Sequence, residues 1–146
     1  MPMDETYADA DLKRILSDTK VVAVVGMTPD PARPDHFVPE ILQAHGMRII
    51  PVNPKFAGQE ILGETVYASL TEAGAALGEA IEMVDVFRRP EQVPPVVEEA
   101  LAALPGLKTI WMQVGIAHAE AAATARAKGV EVVMNRCPKI ELARLF

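Results

Sequence analysis

The sequence predicts an α/β fold, a single domain over residues 1–146 with a doubly wound, mainly parallel, five-stranded sheet and helices on both faces. Short β-branched runs alternate with segments of helical spacing, which is typical of βαβ units. The chain has 146 residues, of which 50% are hydrophobic. That length is enough for one well-filled core and short for two independent domains.

Five apolar runs are predicted as strands, because strands of a parallel sheet are buried on both faces. They are Val21–Val25, Met47–Val52, Met83–Phe87, Thr109–Val114 and Val130–Met134. A sixth run, Thr65–Tyr67, is a weaker candidate. We expect the first strand to be central, with the strand order 3-2-1-4-5, and a ligand to bind at the carboxyl ends of the strands where that order reverses.

Segments with an apolar stripe at helical spacing separate these runs. The predicted helices are Asp9–Ser17, Phe37–Ala44, Thr71–Leu77, Glu91–Leu104, Ala117–Lys128 and Ile140–Leu145. Pro39 is expected in the first turn of its helix, where a missing N–H costs little.

Charge and cysteine content narrow the class of protein. The chain has 14 basic and 20 acidic residues, for a net charge of -6, which disfavours binding of duplex nucleic acid by bulk electrostatics. No apolar run approaches the roughly 18 residues of a membrane span, and the N-terminal stretch is acidic where a signal peptide carries positive charge. The single cysteine, Cys137, suits a reducing cytoplasm. We therefore expect a soluble, cytoplasmic protein, in which a local basic pocket is still allowed.

The first predicted strand ends at Gly26, and Thr28 and several prolines follow. This loop lacks the later glycines of the G-x-G-x-x-G dinucleotide motif. A glycine, a hydroxyl and the N–H groups of the next helix suit a phosphate or another anion. The alternative is that Gly26 serves only a tight turn.

The second strand ends in Val52-Asn53-Pro54-Lys55, which discriminates between nucleotides. NAD binding favours an acidic residue at this position to accept from the ribose hydroxyls. Lys55 instead suits a phosphorylated ribose, as in NADP or coenzyme A. A solvated surface lysine is the alternative.

Basic residues concentrate at the predicted strand exits. Six of the 14 are found there, namely Arg33, Lys55, Arg88, Arg89, Arg136 and Lys139. This concentration in an acidic chain favours a polyanionic small ligand. Arg88 and Arg89 are successive residues of an extended segment and so face opposite ways, which leaves open which of them faces the ligand.

Residue patterns typical of catalysis or metal binding are scarce. No histidine accompanies a nucleophile in the sequence, and no cluster has metal-ligand spacing, so we predict no catalytic residue and no metal. Cys137, beside Arg136, is either a reactive thiol or a small apolar filler. Asp85, inside a buried strand, is expected to be paired or structural.

Five segments carry a family resemblance. VAVVGMTPDPARP, IIPVNPKFAG, VDVFRRPEQV, WMQVGI and VMNRCPKIE, in this order, resemble the stand-alone CoA-binding domain family, which is similar to the N-terminal domain of the succinyl-CoA synthetase α subunit. The resemblance extends from about Leu12 to Leu142. It implies a Rossmann-like fold that binds coenzyme A at the strand exits. The chain lacks the synthetase domain that carries a phosphorylated histidine, so ligase chemistry is not implied.

The resemblance also implies a role for each segment of the site. The first loop would hold the phosphates, the second would meet the adenosine and its 3′-phosphate, the third would flank the nucleotide, and the fourth would approach the pantetheine. The candidate cofactor-binding residues are Gly26, Met27, Thr28, Arg33, Pro34, Val52, Asn53, Pro54, Lys55, Phe87, Arg88, Gln113 and Val114.

These observations favour a protein that binds coenzyme A or an acyl-CoA without catalysis of its own. Two alternatives remain at this stage. One is an NADP-dependent oxidoreductase, which Lys55 permits and the single-glycine loop disfavours. The other is a CoA-responsive regulatory or interaction protein. The sequence identifies neither a protein partner nor an oligomeric state.

Overall fold

The computed structural model describes residues 6–146, so the first five residues of the acidic N-terminal stretch lie outside the described part. A five-stranded parallel sheet forms the centre. Its strands are β1 (Val21–Val25), β2 (Arg48–Val52), β5 (Met83–Val86), β6 (Thr109–Met112) and β7 (Glu131–Val133). An antiparallel hairpin of β3 (Glu60–Ile61) and β4 (Glu64–Thr65) lies between β2 and β5 in the chain. The α/β class and the five parallel strands are therefore confirmed.

The predicted strand order is wrong. The observed order is β2-β1-β5-β6-β7, so the third predicted strand pairs directly with β1, and β2 lies at the edge. The outer side of β2 is covered by Tyr67, which bridges Val52 and donates its N–H to the Pro51 carbonyl at 3.0 Å. N–H and C=O of one residue point to the same side of a strand, so the missing N–H of Pro51 also faces this outer side. A proline there is compatible only with an edge strand.

Among the described residues, six helices cover the two faces of the sheet. They are α1 (Asp9–Asp18), α2 (Pro34–Ala44), α3 (Leu70–Leu77), α4 (Val93–Ala103), α5 (Ala119–Ala127) and α6 (Pro138–Leu145). Helix α2 begins three residues earlier than predicted, with Pro34 at its first position, so Pro39 lies inside the helix and not in its first turn. Within residues 6–146, no helix is long and apolar enough to cross a membrane.

Alternate strand residues divide between two hydrophobic clusters. The first lies between the sheet and helices α3, α4 and α5, and includes Val84 and Ile110. The second lies against α1, α2 and α6, and includes Met83 and Trp111. Side chains alternate along a strand, so Asp85 lies on the same face of β5 as Met83. Its side chain is fully buried. The Asp85 carboxyl group is therefore enclosed in the core, below the edge of the sheet at which α2 and α6 begin.

Candidate functional site

The strands β1 and β5 are neighbours, and their exits touch at the carboxyl edge of the sheet. Gly26 has a φ of +94°, and a Cβ built on it would lie 2.2 Å from the Phe87 carbonyl oxygen. Only glycine fits this approach. The predicted order would have placed β1 beside the fourth strand, so this contact between the first and third exits is a consequence of the corrected order.

Two clefts open at this edge. The β1–β2 cleft, beyond the ends of β1 and β2, has a volume of about 520 Å³. The β5–β6 cleft, beyond the ends of β5 and β6, has a volume of about 800 Å³. Both are lined by Arg33, Asp35, Phe87 and Arg88. The two clefts therefore form one continuous groove.

The β1–β2 cleft is the more polar of the two, and hydrogen bonds connect its loops. Apart from the shared residues, it is lined by Gly26, Thr28, Pro29, Asp30, Asn53, Pro54, Lys55 and Phe56. The buried Asn53 side chain donates to the Met27 carbonyl at 3.1 Å and accepts from the Lys55 backbone N–H at 3.0 Å. One amide thus connects the β1 loop to the short 3₁₀ turn Pro54–Phe56 that carries Lys55.

Asp35, in the first turn of α2, organises the first loop. It accepts from the Thr28 hydroxyl at 2.5 Å and from the Arg33 guanidinium at 2.9 Å and 3.1 Å. This hydrogen-bonded pairing raises the pKa of Arg33 above its ordinary value. The carboxylate also lies where the helix dipole favours a negative charge. Thr28 and Arg33, which are predicted to hold phosphate, therefore already donate hydrogen bonds to a carboxylate of the protein itself.

The β5–β6 cleft is mostly apolar. Apart from the shared residues, it is lined by Pro34, Phe37, Val38, Arg89, Pro90, Gln92, Gln113, Val114, Gly115, Ile116, Cys137, Lys139 and Ile140. Val114 and Ile140 at its rim are 61% and 55% exposed. The half-buried Cys137 is the N-cap residue of α6. Exposed apolar residues around a concave surface indicate a site for an apolar ligand group.

The structure separates the two successive arginines. Arg89 forms a salt bridge with Glu91 at 3.3 Å, and its side chain is 76% exposed. Arg88 lines both clefts. Within the described part of the chain, no salt bridge engages the charged groups of Arg88 or Lys55. These two cations, and Lys139 of the β5–β6 cleft, are therefore available to an anionic ligand.

Eleven of the thirteen candidate residues line the groove. The exceptions are Met27 and Val52, which are 0% and 2% exposed and belong to the hydrophobic clusters. Five of the six basic residues at the strand exits also line the groove. The sixth, Arg136, has its guanidinium over the Tyr7 ring, 5.3 Å from the centroid.

Sequence reasoning missed two kinds of groove residue, one acidic and the other apolar. Asp35 was not singled out, although an acidic residue two positions after Arg33 at a helix start is a detectable pairing signal. Phe37 and Ile140 come from α2 and α6, which pack against each other across this end of the sheet. No local pattern reveals that contact, because it depends on the tertiary arrangement of the two helices.

Asp85 and Gln113 form a polar pair beneath the β5–β6 cleft. Burial raises the pKa of Asp85 well above its ordinary value. One terminal atom of the Gln113 amide lies 2.7 Å from one carboxyl oxygen and 3.2 Å from the other. Among residues 6–146, no group of three or more histidine, cysteine or acidic side chains is placed to hold a metal ion.

Comparisons with known proteins agree with this architecture. YneT of Bacillus subtilis, an uncharacterized protein, is 39% identical over 131 residues, which are 90% of this chain and 91% of YneT. The structure of cell-free ID.343 from Thermus thermophilus is 39% identical, with a TM-score of 0.86, over 96% of this chain and all of that one.

A more distant similarity concerns the fold alone. A dinucleotide-forming acetyl-coenzyme A synthetase from Ca. Korarchaeum cryptofilum is 19% identical, with a TM-score of 0.66, over 84% of this chain and 27% of that one.

The family model described as CoA binding domain matches residues 20–143. This match extends over nearly the whole described chain and includes both clefts, and this chain therefore belongs to the CoA binding domain family.

Proposed function

We propose that the protein binds coenzyme A or an acyl-CoA along the continuous groove, without catalysis of its own. The observation that carries the proposal is the junction of a polar and an apolar cleft at Phe87 and Arg88. Coenzyme A has the same division, with a polyanionic nucleotide at one end and a largely uncharged pantetheine arm at the other. The match of the chain to the CoA binding domain family supports this reading.

In this proposal the charged end of the ligand occupies the β1–β2 cleft. Lys55 meets the 3′-phosphate, and Arg88 meets the diphosphate near the Gly26 turn. Both cations lack a salt bridge within residues 6–146, so binding a phosphate would not require breaking an existing ion pair. Charge-assisted hydrogen bonds of this kind contribute about 1.5–3 kcal/mol each.

The pantetheine arm then runs into the β5–β6 cleft, over Phe87 and towards Gln113 and Val114. The apolar rim, including Val114 and Ile140, suits the methylene groups of the arm and an attached acyl chain. We place this binding in the cytoplasm, because thiols stay reduced there and Cys137 is a free, half-buried thiol.

Parallel isothermal titrations with CoA, dephospho-CoA and NADP test the proposal. We expect micromolar affinity for CoA, weaker binding of dephospho-CoA, and an affinity that falls as the salt concentration rises, because phosphate contacts are screened. Heat with NADP and none with CoA would instead favour the oxidoreductase. A CoA affinity that is indifferent to salt would contradict the phosphate contacts.

A further inference from the structure

The positive charge of the β5–β6 cleft is not explained by the pantetheine arm that we place there. That arm has no formal charge between the diphosphate and the thiol. The charged side chains that line the cleft are nevertheless one carboxylate, Asp35, and four cations, namely Arg33, Arg88, Arg89 and Lys139. The whole chain has a net charge of -6. An excess of positive charge in a mostly apolar cleft of such a chain indicates a further anionic group on the ligand.

Three of the four cations already have an anion assigned to them. Arg33 forms an ion pair with Asp35 at 2.9 Å, and Arg89 forms one with Glu91 at 3.3 Å. Arg88 lines both clefts and meets the diphosphate in the proposed function. The fourth cation therefore calls for an explanation of its own.

Lys139, the fourth cation, lines the β5–β6 cleft but not the β1–β2 cleft. Its Nζ lies over the ring of Phe37, 5.1 Å from the centroid, and Phe37 lines the same cleft. This cation–π contact keeps the ammonium group beside an apolar wall. Over residues 6–146, no carboxylate forms a salt bridge with Lys139. Its charge is therefore available to a ligand in this cleft.

The position of Lys139 in α6 does not stabilise that helix. Lys139 is the second residue of α6, after Pro138, and a positive charge in the first turn opposes the helix dipole. The acidic residue of this turn, Glu141, is 6% exposed and pairs with Arg144 at 2.7 Å. Because Glu141 is engaged in that way, it does not offset the charge of Lys139. The stability of α6 thus gives no reason for a lysine at this position.

The surroundings of Lys139 suit a carbon chain that ends in an anion. Ile140 follows it directly and is 55% exposed, and Val114 and Ile116 line the same cleft. The cleft has a volume of about 800 Å³, which is within the range of small-molecule sites. Such sites combine apolar walls with a few polar groups that fix the orientation of the ligand. A methylene chain with a terminal carboxylate fits an apolar wall that carries one unpaired ammonium group.

We propose that Lys139 binds a carboxylate at the end of the acyl group, so that the protein favours CoA thioesters of dicarboxylic acids over thioesters whose acyl chain is uncharged. This inference rests on the proposed function, because coenzyme A brings the acyl group into the β5–β6 cleft. Lys139 then determines specificity, whereas Lys55 and Arg88 bind the phosphates that all CoA thioesters share.

Calorimetry with pairs of thioether analogues, which lack the labile thioester, tests the inference. S-carboxymethyl-, S-(2-carboxyethyl)- and S-(3-carboxypropyl)-CoA are each compared with the S-alkyl-CoA of equal carbon number, in which a methyl group replaces the carboxylate. In at least one pair, we expect the wild type to bind the carboxylate about three- to ten-fold more tightly. This preference should shrink as the salt concentration rises, because the contact is between two charges.

Four variants assign the preference to one side chain. Lys139→Met should abolish it, Lys139→Arg should keep it within about two-fold of the wild-type value, and Lys139→Glu should reverse it, so that the alkyl analogue binds more tightly. A merely structural role of Lys139 would not change the sign of the preference. Lys128→Met, at an exposed lysine that lines neither cleft, should show the wild-type preference.

The outcomes separate this inference from the proposed function. A wild type that binds CoA but shows no preference in any of the three pairs overturns the inference and leaves the proposed function intact. A preference that persists in Lys139→Met overturns it too, and a loss shared equally by CoA and its analogues would place Lys139 at the phosphates. A wild type that binds neither CoA nor any analogue refutes the proposed function itself.

Discussion

The two clefts of the groove differ in where their polar groups lie. In the β1–β2 cleft, two separate sets of hydrogen bonds hold the loops: those of the neutral Asn53 side chain and those of the Asp35–Arg33 ion pair. In the β5–β6 cleft, the walls are largely apolar, and the buried Asp85 and Gln113 pair lies beneath them. The difference teaches that charged side chains and apolar surface are separated along one groove, with Arg88 at their junction.

The largest effect is expected at the junction itself. Gly26→Ala would combine a positive φ with a Cβ 2.2 Å from the Phe87 carbonyl oxygen, so β1 and β5 would have to separate where both clefts meet. We expect a loss of about 3 kcal/mol in the free energy of unfolding, measured by urea denaturation. Gly58→Ala is the matched control, because Gly58 also has a positive φ but faces open space; it should cost about 1 kcal/mol. Equal losses would contradict the close approach.

The next largest effect concerns the cation shared by both clefts. Arg88→Met should weaken CoA and dephospho-CoA equally, by about ten- to a hundred-fold, because both ligands carry the diphosphate. Arg89→Met is the control, since Arg89 is paired with Glu91 and largely exposed; its affinity should change less than about two-fold. An exchange of these two results would assign the ligand contact to Arg89.

Much of the fold could be predicted because it depends on local periodicity. The five strands and the six helices have apolar patterns of the right period, and the structure contains all of them. The strand order could not be read from periodicity, since that pattern does not say which strands are neighbours. Pro51 did contain the missing information. A proline in the second strand favours an edge position, and that disfavours the order in which this strand is internal.

The residues of the two clefts also differ in how far they could be predicted from the sequence. Lys55 and Arg88 follow strands directly, so the rule that ligands bind at carboxyl ends was sufficient to predict that they line the groove. Met27 also follows a strand, but its side chain turns into the core. Phe37 and Ile140 reach the β5–β6 cleft from helices that meet only through tertiary packing, which leaves no trace in local sequence.

A smaller effect separates the ends of the ligand. Lys55→Met should weaken CoA about ten-fold and leave dephospho-CoA within about two-fold of the wild type, because only CoA has the 3′-phosphate. Calorimetry with both ligands measures the ratio. Lys128→Met, at an exposed lysine that lines neither cleft, should leave that ratio unchanged. Equal losses for both ligands would remove Lys55 from the phosphate contact.

The smallest effect tests whether the network of the β1–β2 cleft competes with the ligand. Asp35→Asn retains an oxygen that can accept from Thr28 but removes a negative charge that lines both clefts and engages Arg33. We expect CoA to bind about three-fold more tightly, because repulsion of its phosphates falls and the Arg33 guanidinium becomes available. The same substitution should lower the free energy of unfolding by about 0.3–1 kcal/mol, since a carboxylate at a helix N-terminus is stabilising. Asp18→Asn, at the exposed end of α1, controls for the change in net charge. Weaker binding of CoA by Asp35→Asn would instead mean that the carboxylate favours binding by ordering the first loop. The hydrogen bonds of the β1–β2 cleft would then support the ligand and not compete with it.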